Sequence, residues 1–202
     1  FDDASGNSYA GINNATTINF TAADVAAPTL SSASPADNAT GVAVGANIVL
    51  TFNENVAAGS GNITLKKSSD NTTVQAMAVG GANVSISGAV VTINPTADLN
   101  SSQGYYLQVA ATAIDDTSGN SFVGISDTTT LNFIAVDNVS PTLASTTPAD
   151  NATGVVPSAN IVITFSENVQ VGSGNITIFK SDNTQIEAID VTSGQVTVSG
   201  AA

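Results

Sequence analysis

Cysteine, histidine, tryptophan and arginine are all missing from this chain of 202 residues. Without thiols there is no disulfide, no thiolate metal site and no cysteine nucleophile, and without imidazole the commonest zinc ligand and general base are gone too. The many Ser and Thr hydroxyls therefore have no evident base to activate them. Carboxylate pairs such as Asp115–Asp116 lack the cationic or imidazole partner that would complete an acid–base site. The chain is expected not to be an enzyme. Basic residues are almost as scarce: Lys66, Lys67 and Lys180 face sixteen acidic side chains, for a net charge of −13. A surface of that sign repels nucleic acid and anionic membranes, so neither is an expected partner, and cations are the natural counterpart. No apolar run approaches the roughly 18 residues of a membrane-spanning helix, so membrane insertion is not expected either.

What the chain does have is repetition. Pro28–Lys67 (PTLSSASPADNATGVAVGANIVLTFNENVAAGSGNITLKK) returns at Pro141–Lys180, offset by 113 residues, with 28 of 40 positions identical and no gap. Asp2–Phe20 returns at Asp115–Phe133 with the same offset and 12 of 19 positions identical. The register slips only after Ser68–Ser69, where the second copy is one residue shorter. A period this long is a whole domain rather than a solenoid repeat. Three segments follow: residues 1–26, the end of one unit; 27–139, a complete unit; and 140–202, the front of a third. The chain reads as a window on a tandem array.

Apolar residues alternate with a period of two nearly wherever a period can be read. Strands are expected at Thr16–Phe20, Thr29–Ala33, Asn47–Phe52, Asn62–Lys66 and Thr72–Val79. A hairpin is expected at Val84–Ile93, hinged at Ser87-Gly88. Further strands are expected around Tyr105, Leu107 and Val109 and at Thr129–Phe133. Leu99 reads as an apolar plug in the connection before Tyr105. Pro35–Gly41 has turn chemistry, with Asp37 and its repeat equivalent Asp150 read as turn-formers. Asn53–Gly61 and Asp115–Asp127 read as loops. Seven or eight short strands and no helix in about 110 residues is the pattern of an all-β antiparallel sandwich with Ig-like topology.

The run P-T-L-x-S-x-x-P-A-D-N-A-T-G-V, then N-I-V-[LI]-T-F-x-E-N-V, then the D-x-S-G-N loop and T-x-N-F closing strand, resembles the bacterial Ig-like domains of the SbsA type. The resemblance covers the complete unit and both partial ones. Such domains recur in surface-layer proteins and in tandem-repeat, RTX-like adhesins, which implies an extracellular or cell-surface location and a role as spacer, stalk or shell. Implied partners are neighbouring Ig-like repeats of the same chain, with further copies of the chain as a second class. The leading expectation is an extender repeat of a secreted or cell-surface adhesin. The alternative is a surface-layer or filament subunit whose end units are completed by strands from other molecules.

Ig topology brings the B–C and F–G loops to the pole where strand A begins. That places Glu54 of the first loop, Asp115 and Asp116 of the second, and Asp24 of the preceding linker together at a junction. The repeat equivalents at the next junction are Asp137 and Glu167. Crowded carboxylates repel one another and recruit a cation. A hard-oxygen set of this kind suits Ca²⁺, which takes 6–8 oxygens in flexible geometry. The expected metal ligands are therefore Asp24, Glu54, Asp115, Asp116, Asp137 and Glu167. The competing reading makes these ordinary solvated loop charges or turn caps.

Overall fold

The computed structural model describes residues 1–202. It divides into two compact units, 1–137 and 138–202. No helix forms, so none is long and apolar enough to cross a membrane.

The first unit holds eleven strands. Strands β1 (Leu30–Ser34), β3 (Ile48–Phe52), β8 (Val90–Ile93) and β7 (Val84–Ser87) form one sheet in the order β1-β3-β8-β7. Strands β2 (Ala39–Val42), β11 (Asn132–Ala135), β9 (Gly104–Val109), β5 (Asn62–Lys67) and β6 (Thr73–Ala78) form the other, in the order β2-β11-β9-β5-β6. In Ig lettering these are A-B-E-D and A′-G-F-C-C′, the two faces of an Ig-type sandwich. All ladders in both sheets are antiparallel except β2 with β11, which is parallel. A third, two-stranded pairing joins β4 (Val56–Ala58) to β10 (Ile114–Asp116) at one pole.

Alternation dictates which side chains meet between the sheets, because successive residues of a strand face opposite ways. Ile48, Leu50 and Phe52 of β3 are buried, as are Ile63 and Leu65 of β5 and Tyr105, Leu107 and Val109 of β9. Leu99 is buried, in the part expected of it. Phe52 meets Phe122 edge-on with ring centroids 5.2 Å apart. The Tyr105 hydroxyl accepts the Asn100 N–H at 2.8 Å, tying the start of β9 back to the chain just before it. A tyrosine bound in this way near the start of strand F is a hallmark of Ig sandwiches.

The strand count exceeds the seven or eight expected, because three short strands hide in stretches that read as turns or loops. They are β2 within Pro35–Gly41 and beyond, β4 within Asn53–Gly61, and β10 at the start of Asp115–Asp127. Each is three or four residues long and too short to show a period of its own. The strand expected at Thr16–Phe20 does not form. Its equivalent in the complete unit is β11, which lies between β2 and β9, and residues 1–20 have no such neighbours. Ile18 and Phe20 are accordingly exposed, whereas their equivalents Leu131 and Phe133 are buried.

The second unit contains two separate hairpin-like pairs. Strand β12 (Leu143–Thr147) pairs with β13 (Val162–Phe165), and β14 (Asn175–Phe179) pairs with β15 (Gln185–Asp190). These repeat β1–β3 and β5–β6, down to the bulges at Leu143/Ser145 and Ile178/Phe179.

Candidate metal centre

The β4–β10 pairing fixes the pole of the first unit by matching Val56 to Asp116, Ala57 to Asp115 and Ala58 to Ile114. This pairing ties the B–C connection directly to the F–G connection, as the Ig reading required. Adjacent residues of β10 then point in opposite directions. Asp116 is buried at 3% exposure, while Asp115 is turned toward Ser121, whose hydroxyl donates to Asp115 Oδ1 at 2.6 Å. The Asp115 carboxylate also lies against Gly59, where an added Cβ would come within 2.6 Å of Oδ2.

Asp116 anchors the Asp116-Thr117-Ser118-Gly119-Asn120 loop. The Ser118 and Asn120 N–H groups each donate to Asp116 Oδ1 at 2.8 Å, and the Asn120 amide donates to Oδ2 at 2.7 Å. The Asn120 side-chain bond, helped by the Asn120, Ser118 and Gly119 backbone, holds this carboxyl below the usual carboxylate range, against the opposing effect of burial. Gly119 occupies the left-handed region at φ 90°. The same construction stands at residues 3–7, where Ser5 N–H and Asn7 N–H donate to Asp3 Oδ1 at 2.8 and 2.9 Å and the Asn7 amide to Oδ2 at 2.9 Å. It forms there with no sandwich around it, so the D-x-S-G-N sequence closes this loop by local chemistry alone.

The linker reaches the loop through Asn120, whose amide also donates to the Asp24 carbonyl at 3.2 Å. Asp24 Oδ1 in turn accepts the Ala26 N–H at 3.0 Å. Asn53, beside Glu54, accepts the Thr29 N–H at 2.6 Å and donates to Glu54 Oε1 at 3.4 Å. The result is a cluster in which carboxylate oxygens of Asp24, Glu54 and Asp116 lie within 4.8 Å of one another. Asp24 is exposed, Glu54 half-buried and Asp116 buried.

These residues fit a hard cation. Two oxygens on one Ca²⁺ at its usual 2.3–2.6 Å can be no more than about 5 Å apart, so this spread suits a shared ion. A carboxylate has about four lone-pair sites. Asp116 accepts two N–H groups on Oδ1 and one on Oδ2, so its loop bonds occupy most of its capacity. Asp24 and Glu54 keep most of theirs. Three carboxylates fall short of 6–8 ligands, and bidentate binding, carbonyls or water would complete the shell.

Of the six residues expected as ligands, the structure brings together Asp24, Glu54 and Asp116. Asp115 serves Ser121 instead. Asp137 closes the first unit, where it accepts the Ser101 hydroxyl at 3.0 Å, and Glu167 is half-buried in the second. Asp37 proves to be more than a turn-former. Its Oδ1 accepts both the N–H of Asn132 at 3.0 Å and the Asn132 amide at 2.9 Å, pinning the A–A′ turn to the closing strand. Sequence reasoning could not see this bond across 95 residues, although Asn38 at φ 59° was legible as a turn.

The two sheets, in the orders A-B-E-D and A′-G-F-C-C′, define an Ig-type sandwich with an acidic pole. More narrowly, residues 24–134 and 137–202 match the family described as bacterial Ig-like domain, and the chain belongs to that family. The match begins at Asp24, so the linker carboxylate is counted within the repeat. No curated protein sequence matches the chain. Among solved structures, the chain is similar to CopC from Methylosinus trichosporium OB3b, at 18% identity and a TM-score of 0.40, over 56% of this chain and 97% of that one. It is also similar to the S-layer protein rSbsC(31-844), at 17% identity and a TM-score of 0.37, over 80% of this chain and 19% of that one. The N-terminal part of the bacterial S-layer protein SbsC gives 17% and 0.37, over 86% of this chain and 43% of that one. The present chain thus spans less than half of either S-layer structure. At such scores these likenesses bear on neither function nor fold, which rest on the family match and the sheet topology.

Proposed function

We propose that the chain is a structural, extender-type stretch of a secreted or cell-surface bacterial adhesin, stiffened by Ca²⁺ where the linker enters each sandwich. The observation that carries this reading is the convergence of Asp24, Glu54 and Asp116 within 4.8 Å. Asp24 comes from the linker and the other two from the sandwich pole. A bound ion would neutralise the three charges and cross-link the linker to the B–C and F–G connections. Without it, mutual repulsion and the single Asn120 bond to the Asp24 carbonyl leave the linker weakly held. The family match and the net charge of −13 support the setting: a disulfide-free extracellular domain relies on another clamp or on a good core, and cations are the natural counterpart of a polyanionic surface.

Small-angle scattering in excess Ca²⁺ and again in EGTA, with mass measured alongside, tests the proposal. The expected result is a monomer whose radius of gyration grows and whose profile becomes more rod-like with Ca²⁺. A profile indifferent to Ca²⁺ would sink the clamp. A second reading is a surface-layer or filament subunit completed by strand addition between molecules. Under that reading the mass would climb into polymers.

A further inference from the structure

We propose that the outer face of the β1-β3-β8-β7 sheet is a self-association surface, and that its partner is the same face of a second copy of this chain. The two sheets meet face to face, with no strand edge taking part. The inference rests on ladder register and charge, independently of calcium and of the adhesin reading.

Alternation along the four strands assigns this face. Ile48, Leu50, Phe52, Val84, Val91 and Ile93 are buried, and Ala33 and Ile86 pack against the same core, so the residues between them turn outward. The ladders align these outward residues in two rows across the sheet. One row runs Ser32, Thr51, Val90, Ser87, and the other Ser34, Val49, Thr92, Ser85. The serines of the outer strands are exposed, and the Thr and Val of the central strands are half-buried.

None of these strands carries a charge. Strand β1 lies between Asp24 and Asp37, β3 between Asp37 and Glu54, and β7 and β8 between Asp70 and Asp98, with no charged residue inside any of the three intervals. For a chain of net charge −13, such a face is where another copy can approach with least repulsion. The other sheet behaves differently, since its charge changes between the repeats. Lys66 of β5 is replaced by Phe179, and the uncharged β6 by β15 with Glu187 and Asp190. On the proposed face Ser32, Ser34, Val49 and Thr51 become Ser145, Thr147, Val162 and Thr164, uncharged and paired in the same register.

The pattern of the rows points to the partner. Read from its other end, the second row is Ser85, Thr92, Val49, Ser34, the same order of residue types as the first. The patch therefore has a local two-fold axis along the sheet normal. Two copies related by a two-fold axis lying in the interface, along the strands or across them, then set every Val against a Thr and every Ser against a Ser. Valine methyls meet threonine methyls, and serine hydroxyls pair at the rim. An isologous contact requires self-complementarity of this kind. The contact is small, however. Four strands about 4.8 Å apart, with two residues about 7 Å apart on each, give about 270 Å² a side and about 540 Å² in all, against the roughly 1,200 Å² of a stable interface. One patch thus makes a weak, reversible dimer, and patches recurring along paired arrays add through effective concentration.

The test follows amide NMR shifts of the isotope-labelled 202-residue chain in EGTA. Its concentration is raised from about 0.05 to about 2 mM, spanning an expected Kd of about 1 mM. The expected result is a reversible dimer whose shift changes gather on β1, β3, β7 and β8 and spare β5, β6 and β9. Raising NaCl from about 20 to about 300 mM should tighten it at least about threefold, by screening the like charge of the two copies. Thr51→Glu should weaken it at least about tenfold, since each copy then buries a carboxylate against the other. Thr64→Glu, which adds the same charge to the outer face of the other sheet, should change it less than about twofold. Shifts independent of concentration, or gathered on β5, β6 and β9 or at the poles, overturn the inference. So does a Thr51→Glu chain that dimerises like the parent. If that variant fails to fold, the parent's own concentration dependence still decides. A neutral dextran that moves the β1-β3-β8-β7 amides while concentration does not would assign the face to a polysaccharide instead.

Discussion

Removing two carboxylates without disturbing the fold around them separates an ion site from a patch of surface charge. Asp24→Asn and Glu54→Gln keep shape and acceptors, and the Asp24 Oδ1 bond to the Ala26 N–H has an amide oxygen to replace it. A ligand that binds only the folded state stabilises it by RT ln(1 + [L]/Kd). For an extracellular-type Ca²⁺ site with Kd of about 10⁻⁴ M, 10 mM Ca²⁺ contributes about 2.7 kcal/mol. With Kd nearer 10⁻³ M the gain is about 1.4 kcal/mol. In a sandwich of about 110 residues this raises Tm by about 5–10 °C. The assay is near-UV circular dichroism of tyrosine during a thermal ramp. Tyr9, Tyr105 and Tyr106 all lie in the first unit, the last two buried, and residues 138–202 have no tyrosine, so the signal reports one unit. The parent should melt higher in Ca²⁺ than in EGTA, and the double variant should melt at one temperature in both. In EGTA the double variant should melt at or above the parent, having lost only mutual repulsion. A calcium shift that survives in the double variant, or one absent from the parent, refutes the reasoning.

Acid titration gives an independent reading of the pole. The Asp116 carboxyl is held below its ordinary value, so its contribution to stability is complete above the unfolded pKa of about 3.9 and drains away as pH falls through the lower folded value. Asp116→Asn should therefore flatten the loss of stability below about pH 4, measured as urea midpoint against pH. Leu107→Ala, at a site with no exposure, should cost about 2–5 kcal/mol in urea unfolding, a large share of a typical domain's stability. Gly124 sits at φ 83° with the Val109 carbonyl and the Ala111 amide where a Cβ would go. Gly124→Ala should destabilise by about 1–3 kcal/mol or more, lowering Tm by several degrees.

Long alternating strands were legible because their burial is set by residues two apart. Ile48-Val49-Leu50-Thr51-Phe52 announces both its conformation and its inward face. Strands β4 and β10 were not, because Val56-Ala57-Ala58 and Ile114-Asp115-Asp116 exist only by pairing with each other. Reading β10 as a loop also hid the alternation that sends Asp116 inward and Asp115 to Ser121. The convergence of Asp24, Glu54 and Asp116 could still be foreseen, since it depends on which loops share a pole and not on local conformation. The reverse failure is instructive too. Thr16–Phe20 has a strand's pattern yet forms none, because β propensity expresses a fit to neighbours and not a backbone preference.

The parallel alignment of β2 with β11 has a consequence for a chain held at both ends. The complete unit is entered ahead of β2 and left beyond β11, so tension pulls these neighbours in opposite directions along their shared axis. Their hydrogen bonds, with the two from Asn132 to Asp37 beside them, are then loaded in shear and share the force instead of opening one at a time. An antiparallel pair at the same place, pulled from adjacent ends, would peel like a zipper. Strands β2 and β11 thus act as a latch that holds under stretch.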